Sequence, residues 1–189
     1  MQVILAARID RLPEDDKRLL QIASVIGKEV LIDSPQVVAE LSADALRRGL
    51  ANLQIGEFIY ETQLFLDLVY TFKHALTQEV TYNSLPLEAR RGYHERIARA
   101  LELSSLGRFD KKSEILSHHY QLVGNVEKAL EYLLRAVRRA TTRFASTEAL
   151  AYCTAVVDCL NRLPKTDARG RQRVDVRLAE AEMMWVQGR

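Results

Sequence analysis

"YTFKHALTQEVTYNSL", Tyr70 to Leu85, changes period part-way along. It begins with Tyr70 and Phe72 on alternate positions, which predicts the end of a strand, and from His74 onward it reads as a helix. On this reading Tyr70 and Phe72 share one strand face, while Val80, Tyr82 and Leu85 face a core. His74 and Glu79 then tie the strand end, the helix start and the following helix together by hydrogen bonds. A catalytic role fits poorly: Glu79 lies five residues after His74, a helical step of about 500° that separates the two side chains. No Ser, Cys or second ligand stands at a useful offset. The stretch is a junction between two kinds of structure.

Upstream, "EFIYE" and "LVYTFK" alternate apolar and polar residues and predict a hairpin joined through "TQLFLD". Helical patterns precede it. "VILAARIDRL" spaces Ile4, Ala7, Arg8 and Leu12 in the helical manner, and Pro13 opens a second helix with Glu14, Asp15 and Asp16 at its positive end. Leu19, Leu20, Ala23 and Ile26 form its apolar stripe and Gly27 closes it. Ser34 and Pro35 begin "QVVAEL". Ser42 caps "ADALRRGLANLQIG", whose Leu46, Leu50 and Leu53 recur on one face. Three helices and then a hairpin is the order of a winged-helix domain, assigned to residues 1–73.

Downstream the chain reads as helical to its end: connecting helices over 74–108 and an array of helical hairpins over 109–189. Breaks fall at Pro86, "SSLGRFD", Gly124-Asn125, Ala145-Ser146 and "PKTDARG". In "ILSHHYQLVGNVEKALEYLLRAVRRA", Leu116, Tyr120, Gly124, Ala129, Leu133 and Ala136 fall at the spacings of a tetratricopeptide repeat. Ala129 and Ala136 let two helices approach, Tyr120 and Leu133 fill the gap, and Gly124 permits the tight turn. The hairpin over 146–188 is longer than the standard period, so the array is tetratricopeptide-like. The expected class is mainly α, a winged-helix-like domain with one β-hairpin followed by that array.

Composition agrees with two modules: 189 residues with 48% apolar, 28% charged and only 8 Gly and 4 Pro describe a soluble, helix-rich globular protein. No apolar run approaches a membrane span and no signal peptide follows Met1, so a cytoplasmic location and no membrane partner are expected. Cys153 and Cys159, six apart in a helix, point to different sides and read as buried thiols in a reducing compartment, with no metal-ligand spacing around them. Residues 1–73 carry eight basic and eleven acidic side chains, a net of −3 that suits nucleic acid badly.

The segments "ILAARIDRLPEDDKRLLQIASVIGKEV", "EFIYE", "YTFKHALTQEVTYNSL" and "RRGYHERIARALE" together resemble a bacterial family, the STAND-type ATPase signalling proteins. The similarity is to those in which a class III adenylate or guanylate cyclase domain precedes an AAA-type ATPase domain and tetratricopeptide repeats. Nearly the whole chain takes part, through Arg8, Asp10, Leu12, Pro13 and Gly27, then Phe72, His74, Leu76, Glu79 and Tyr82, and finally Arg90, His94 and Ala98. The resemblance implies an interdomain signature at Phe72, His74, Glu79, Tyr82, Arg90 and His94, structural in role. It further implies that catalytic domains using ATP and Mg lie upstream of Met1. "IGKEV" has one glycine and Glu29 after its lysine, so it is no phosphate loop, and neither a catalytic nor a cofactor or metal site is expected in this chain.

The expected role is regulation through protein or peptide partners and the upstream ATPase domain, for which a stacked helical array offers a concave surface. Matching the repeat places Glu114, His118, Gln121 and Leu122 in that groove. The rival is a DNA-binding winged-helix transcriptional regulator. Its reading helix would offer Arg47 and Arg48 against Asp44, and its wing carries Glu57, Glu61 and Asp67, which would face phosphates. Arg135, Arg138, Arg139 and Arg143 read as a solvated basic face. Met183, Met184 and Trp185 end the sequence on an apolar helix suited to homodimer formation.

Overall fold

Pro13 has no N–H to leave unsatisfied, and three carboxylates follow it; both properties suit a first helical turn. The computed structural model describes residues 2–27, 29–31, 41–64, 67–104, 112–186 and 188. In it a short α1, Gln2–Asp10, precedes α2, Glu14–Ile26. Gly27 ends α2 with φ 138°, a backbone setting open to glycine. Leu19, Leu20, Ile22, Ala23, Ser24 and Val25 are all buried, more than one stripe, because α3 (Ala43–Ile55), α4 (Ala75–Ser84) and a strand pack around α2. On α1 the spacing through Ile4 and Ala7 marks the solvent side. Ile4 is 70% exposed, whereas Ile9 is buried and Leu5 and Leu12 pack beside it.

The sheet has three strands where one hairpin was expected: β1 (Glu29–Leu31), β2 (Ile59–Leu64) and β3 (Asp67–Phe72), antiparallel in the order β1-β3-β2. Glu29 pairs with Thr71 and Ile59 with Phe72, so β3 is central. Three residues are too few for β1 to display a period of two. The "TQLFLD" connection is largely strand, since pairing continues to Leu64 with Asp67. β3 buries Val69, Tyr70, Thr71 and Phe72 without alternation, so side chains on both of its faces are covered. The expected "QVVAEL" helix with its Ser34-Pro35 start, and most of the "SSLGRFD" break, lie outside the described residues.

Cα packing divides the chain into two compact units, residues 1–100 and 101–189; the division falls inside α5, Leu87–Ser104. In the first unit Ile9, Leu19, Leu20, Leu46, Leu50, Leu53, Phe58, Tyr70 and Phe72 form one core. Ser42 caps α3 by accepting from the Ala45 N–H at 3.2 Å. Gly49 is required by proximity: a Cβ there would lie 2.8 Å from Leu19 Cδ2 and 3.3 Å from Asp16 Oδ1. Asp16, buried beside that contact, accepts from Asn52 Nδ2 at 3.0 Å and links α2 to α3.

The second unit is a succession of helices, α6 (Ser113–Val123), α7 (Val126–Thr142), α8 (Ser146–Arg162) and α9 (Asp167–Val186), each packed on the next. Leu116, Tyr120, Ala129, Leu133 and Ala136 are all buried, as their spacing predicts. Burying a Leu side chain of this kind contributes about 1.5–3 kcal/mol. The turns after α6 and α7, of two and three residues, share one pattern. Gly124 N–H donates to Gln121 O and Asn125 N–H to Tyr120 O; twenty residues later Phe144 N–H donates to Thr141 O and Ala145 N–H to Ala140 O. These are paired 5→2 and 6→1 bonds around a left-handed residue, Gly124 at φ 86° and Phe144 at φ 54°. Cys153 and Cys159 are free and buried, and burial pushes both thiols up. Among the described residues no helix is long and apolar enough to cross a membrane.

Candidate functional site

The junction of the first unit is built from the end of β3 through α4 into α5. Phe72 is buried in the core and Leu85 is buried at the end of α4. Pro86 stops α4 and leaves its last carbonyls without helical donors. Arg90 supplies them, donating from Nε to Leu85 O and from Nη2 to Asn83 O, both at 2.9 Å. Its guanidinium also stands 4.7 Å over the Tyr82 ring. That ring meets buried His94 edge-on, with Tyr82 Oη and His94 Nε2 hydrogen-bonded at 3.1 Å in the sense that the imidazole tautomer sets. Tyr82, Arg90 and His94 therefore form one seam.

His74 and Glu79 are not brought into it. His74 occupies the N-cap position of α4, but its side chain is exposed and makes no cap bond; its carbonyl accepts from Thr77 N–H at 2.9 Å. Glu79 is exposed too, on the rim of a depression of about 350 Å³ lined by Val3, Ala6, Ile9, Asp10 and Val80 among others. The tie expected of them is made by Gln78, whose Nε2 donates to Ser24 O at 3.2 Å. Nothing in the periodicity marks Gln78, because a side chain reaching a carbonyl 54 positions away follows from the fold. Arg8 performs a similar service at the start of β2: Nη2 donates to Gly56 O at 2.8 Å and the guanidinium lies 5.0 Å over the Phe58 ring. Beside it Glu57 takes φ 58° and pairs with Lys73 at 2.9 Å, and Lys73 holds its carboxyl below the usual range.

In the second unit, α6 turns Leu116, His119 and Tyr120 inward. Of the four residues expected to line a groove, His118, Gln121 and Leu122 are exposed together on the other side of α6. Glu114 is half-buried and pairs with Arg139 of α7 at 3.6 Å. A polar centre not anticipated from the sequence lies nearby. Glu102 accepts from Lys128 Nζ at 2.8 and 2.9 Å and from Tyr132 Oη at 2.7 Å, while Lys128 also donates to Tyr120 Oη at 3.0 Å. The Tyr120 and Tyr132 rings stack, 3° from parallel at 5.8 Å. Burial alone would raise the Glu102 carboxyl, but the hydrogen bonds from Lys128, Tyr132 and Tyr120 hold it below the usual range. Donating to Glu102 raises Lys128, and burial followed by the bond donated to Glu102 raises Tyr132. A charged pair bonded to two phenols in this way fastens the helices that carry it.

A cavity of about 530 Å³ opens between α7 and the start of α9, over Leu130, Leu134 and Leu163, with Arg135, Arg138 and Arg169 at its rim. Arg169 is fixed there by Glu127 at 3.0 Å and by Pro164 O at 2.8 Å. The basic face read from α7 is thus partly engaged, since Arg135 pairs with Glu131 and Arg139 with Glu114. Among the described residues no group of three His, Cys, Asp or Glu could hold a metal ion.

No family model matches the chain, and no solved structure matches it. It is similar, at 22% identity over 165 residues, to a protein of Rhizobium meliloti (strain 1021) that bears the name "Uncharacterized protein R02095". The match takes in 87% of this chain and 16% of that protein, so the chain spans less than a fifth of the length of the curated relative it matches.

Proposed function

We propose that the chain is a non-catalytic regulatory and interaction region of a much longer STAND-type ATPase signalling protein of the cyclase-linked kind. It would relay the binding of a protein or peptide to ATPase and nucleotide cyclase domains elsewhere in the parent, where ATP and Mg would act. The observation that carries this reading is the pair of helical hairpins α6–α7 and α8–α9. In these each helix packs on the next, as in a stacked array, and α6 turns His118, Gln121 and Leu122 outward as a contact surface. On this proposal the first unit is winged-helix-like and the second tetratricopeptide-like. The long relative supports a multidomain setting, and a junction whose histidine and arginine bond to a phenol and to carbonyls supports a structural role for those residues.

The test is a selection of peptides on the purified chain. Binding should be lost on His118→Ala/Gln121→Ala and kept on Arg138→Ala, and the chain alone should neither hydrolyse ATP nor form a cyclic nucleotide. Turnover of either kind overturns the proposal. So does tight binding of arbitrary duplex DNA that weakens steeply with salt, the behaviour of a winged-helix transcriptional regulator.

A further inference from the structure

Helix α9 carries two apolar faces. Val176 and Met183, seven residues apart, are buried against the unit. Val174, Leu178, Ala181 and Trp185 are separated by steps of four, three and four, which at about 100° per residue places them within an arc of about 60° on the opposite side. All four are exposed: Val174 58%, Leu178 59% and Trp185 85%, with Ala181 between them. A shallow depression of about 520 Å³ lies along the start of this face, lined by Asp167, Gly170, Arg171, Val174 and Asp175. The steps are those of a coiled-coil seam, and a helix already seated by its far side needs no such seam for its own unit.

We propose that this face pairs with the same face of a second copy of the chain, the two α9 helices running parallel. Charge selects both the partner and the direction. Asp175 and Glu182 flank the seam on one side and Arg177 flanks it on the other. In a parallel pair a flanking residue meets the one five positions further along the opposite helix, so Arg177 meets the partner's Glu182, and the symmetric contact repeats it. In an antiparallel pair like flanks meet, and Asp175 and Glu182 would confront one another. Arg177 is 58% exposed and bonds Glu180 of its own helix, whose side chain is 17% exposed, so its contact across the seam adds to this i,i+3 pair or competes with it. Arg171 occupies the next seam position toward the start of α9 and ends the apolar run there. Three helical turns of seam make a small interface, at the weak end of specific association. The inference stands on α9 alone and does not depend on the function proposed above.

Trp185 is the sole tryptophan and sits in the seam, so its emission reports pairing directly. Sedimentation equilibrium and Trp185 fluorescence across a concentration series should show a dimer and a parallel shift of emission to shorter wavelength. Leu178→Asp, at an exposed position, should leave a folded monomer at every concentration. Arg177→Glu should weaken association about tenfold, and Arg177→Glu/Glu182→Arg should restore it. A chain that stays monomeric at its highest soluble concentration overturns the proposal and leaves the face to a different occupant, such as another helical hairpin of a longer protein. A dimer that survives Leu178→Asp, or a double reversal as weak as the single one, overturns it equally.

Discussion

Adding one methyl group at each of two glycines should move stability in opposite directions. A Cβ built at Gly124 or at Gly170 meets nothing within 4 Å, so neither substitution involves a clash. Gly124 sits at φ 86° in the turn between α6 and α7, where an L side chain raises the energy by roughly 1–2 kcal/mol. Alanine also stiffens the unfolded chain, which returns about 0.4–1 kcal/mol, and the net for Gly124→Ala is a loss of about 1 kcal/mol. Gly170 lies inside α9, where alanine is favoured over glycine by about 0.8–1 kcal/mol, so Gly170→Ala should stabilise by that amount. For a unit of this size 1 kcal/mol corresponds to about 4–8 °C in Tm. Thermal unfolding followed by far-ultraviolet circular dichroism, at concentrations low enough to hold the chain monomeric, should separate the two variants by about 8–16 °C, with wild type between them. Equal shifts, or a Gly124→Ala protein as stable as wild type, would refute the left-handed turn that closes the α6–α7 hairpin.

Three further outcomes follow from close contacts. Gly49→Ala should destabilise the first unit by about 1–2 kcal/mol in urea titrations despite its better helix propensity, because the new Cβ falls 2.8 Å from Leu19 Cδ2. Arg90→Lys should lose about 1–2 kcal/mol, since an ammonium cannot cap Asn83 O and Leu85 O while lying flat over Tyr82; hydrogen exchange should speed selectively at the end of α4. Tyr132→Phe should remove about 1.5 kcal/mol near neutral pH by taking a donor from a charged acceptor. Because the Glu102 carboxyl is depressed in the folded chain, its contribution is complete above the unfolded value of about 4.3 and is lost as pH falls through the folded one. Tyr132→Phe raises that folded value, so the variant should lose less stability than wild type on acidification below about pH 4.3, read from urea midpoints across pH.

Much of the junction was legible because it is local. Tyr82 lies on α4 and Leu85 caps it, with Pro86 as the stop, so the pattern set these two toward a core, while Arg90 was joined to them only through the family resemblance. His74 and Glu79 have the same spacing credentials yet face solvent, because the bonds available to a polar side chain depend on which carbonyls the fold leaves unpaired. Ser24 O lies in the last turn of α2, and Gln78 reaches it. The α6–α7 pair was legible to the residue, since its small and large positions are set by helix approach within a short loop. The Glu102, Lys128 and Tyr132 centre was not: it joins α5 to α7 across 26 and 30 positions, and each of the three alone is an ordinary helix residue.

Helical period, the prolines before α2 and α5 and the glycine at the turn after α6 are properties of neighbouring residues, and the sequence by itself determined from such signals a mainly α chain with a strand pair and paired helices. Tertiary structure decided which side of α1 is buried, that three residues after Gly27 pair with β3, and that α9 keeps a second apolar face exposed. Those choices depend on which distant surfaces meet. Burial and strand pairing are settled by the partner an element finds, and a partner tens of residues away leaves no periodic mark on the segment it covers.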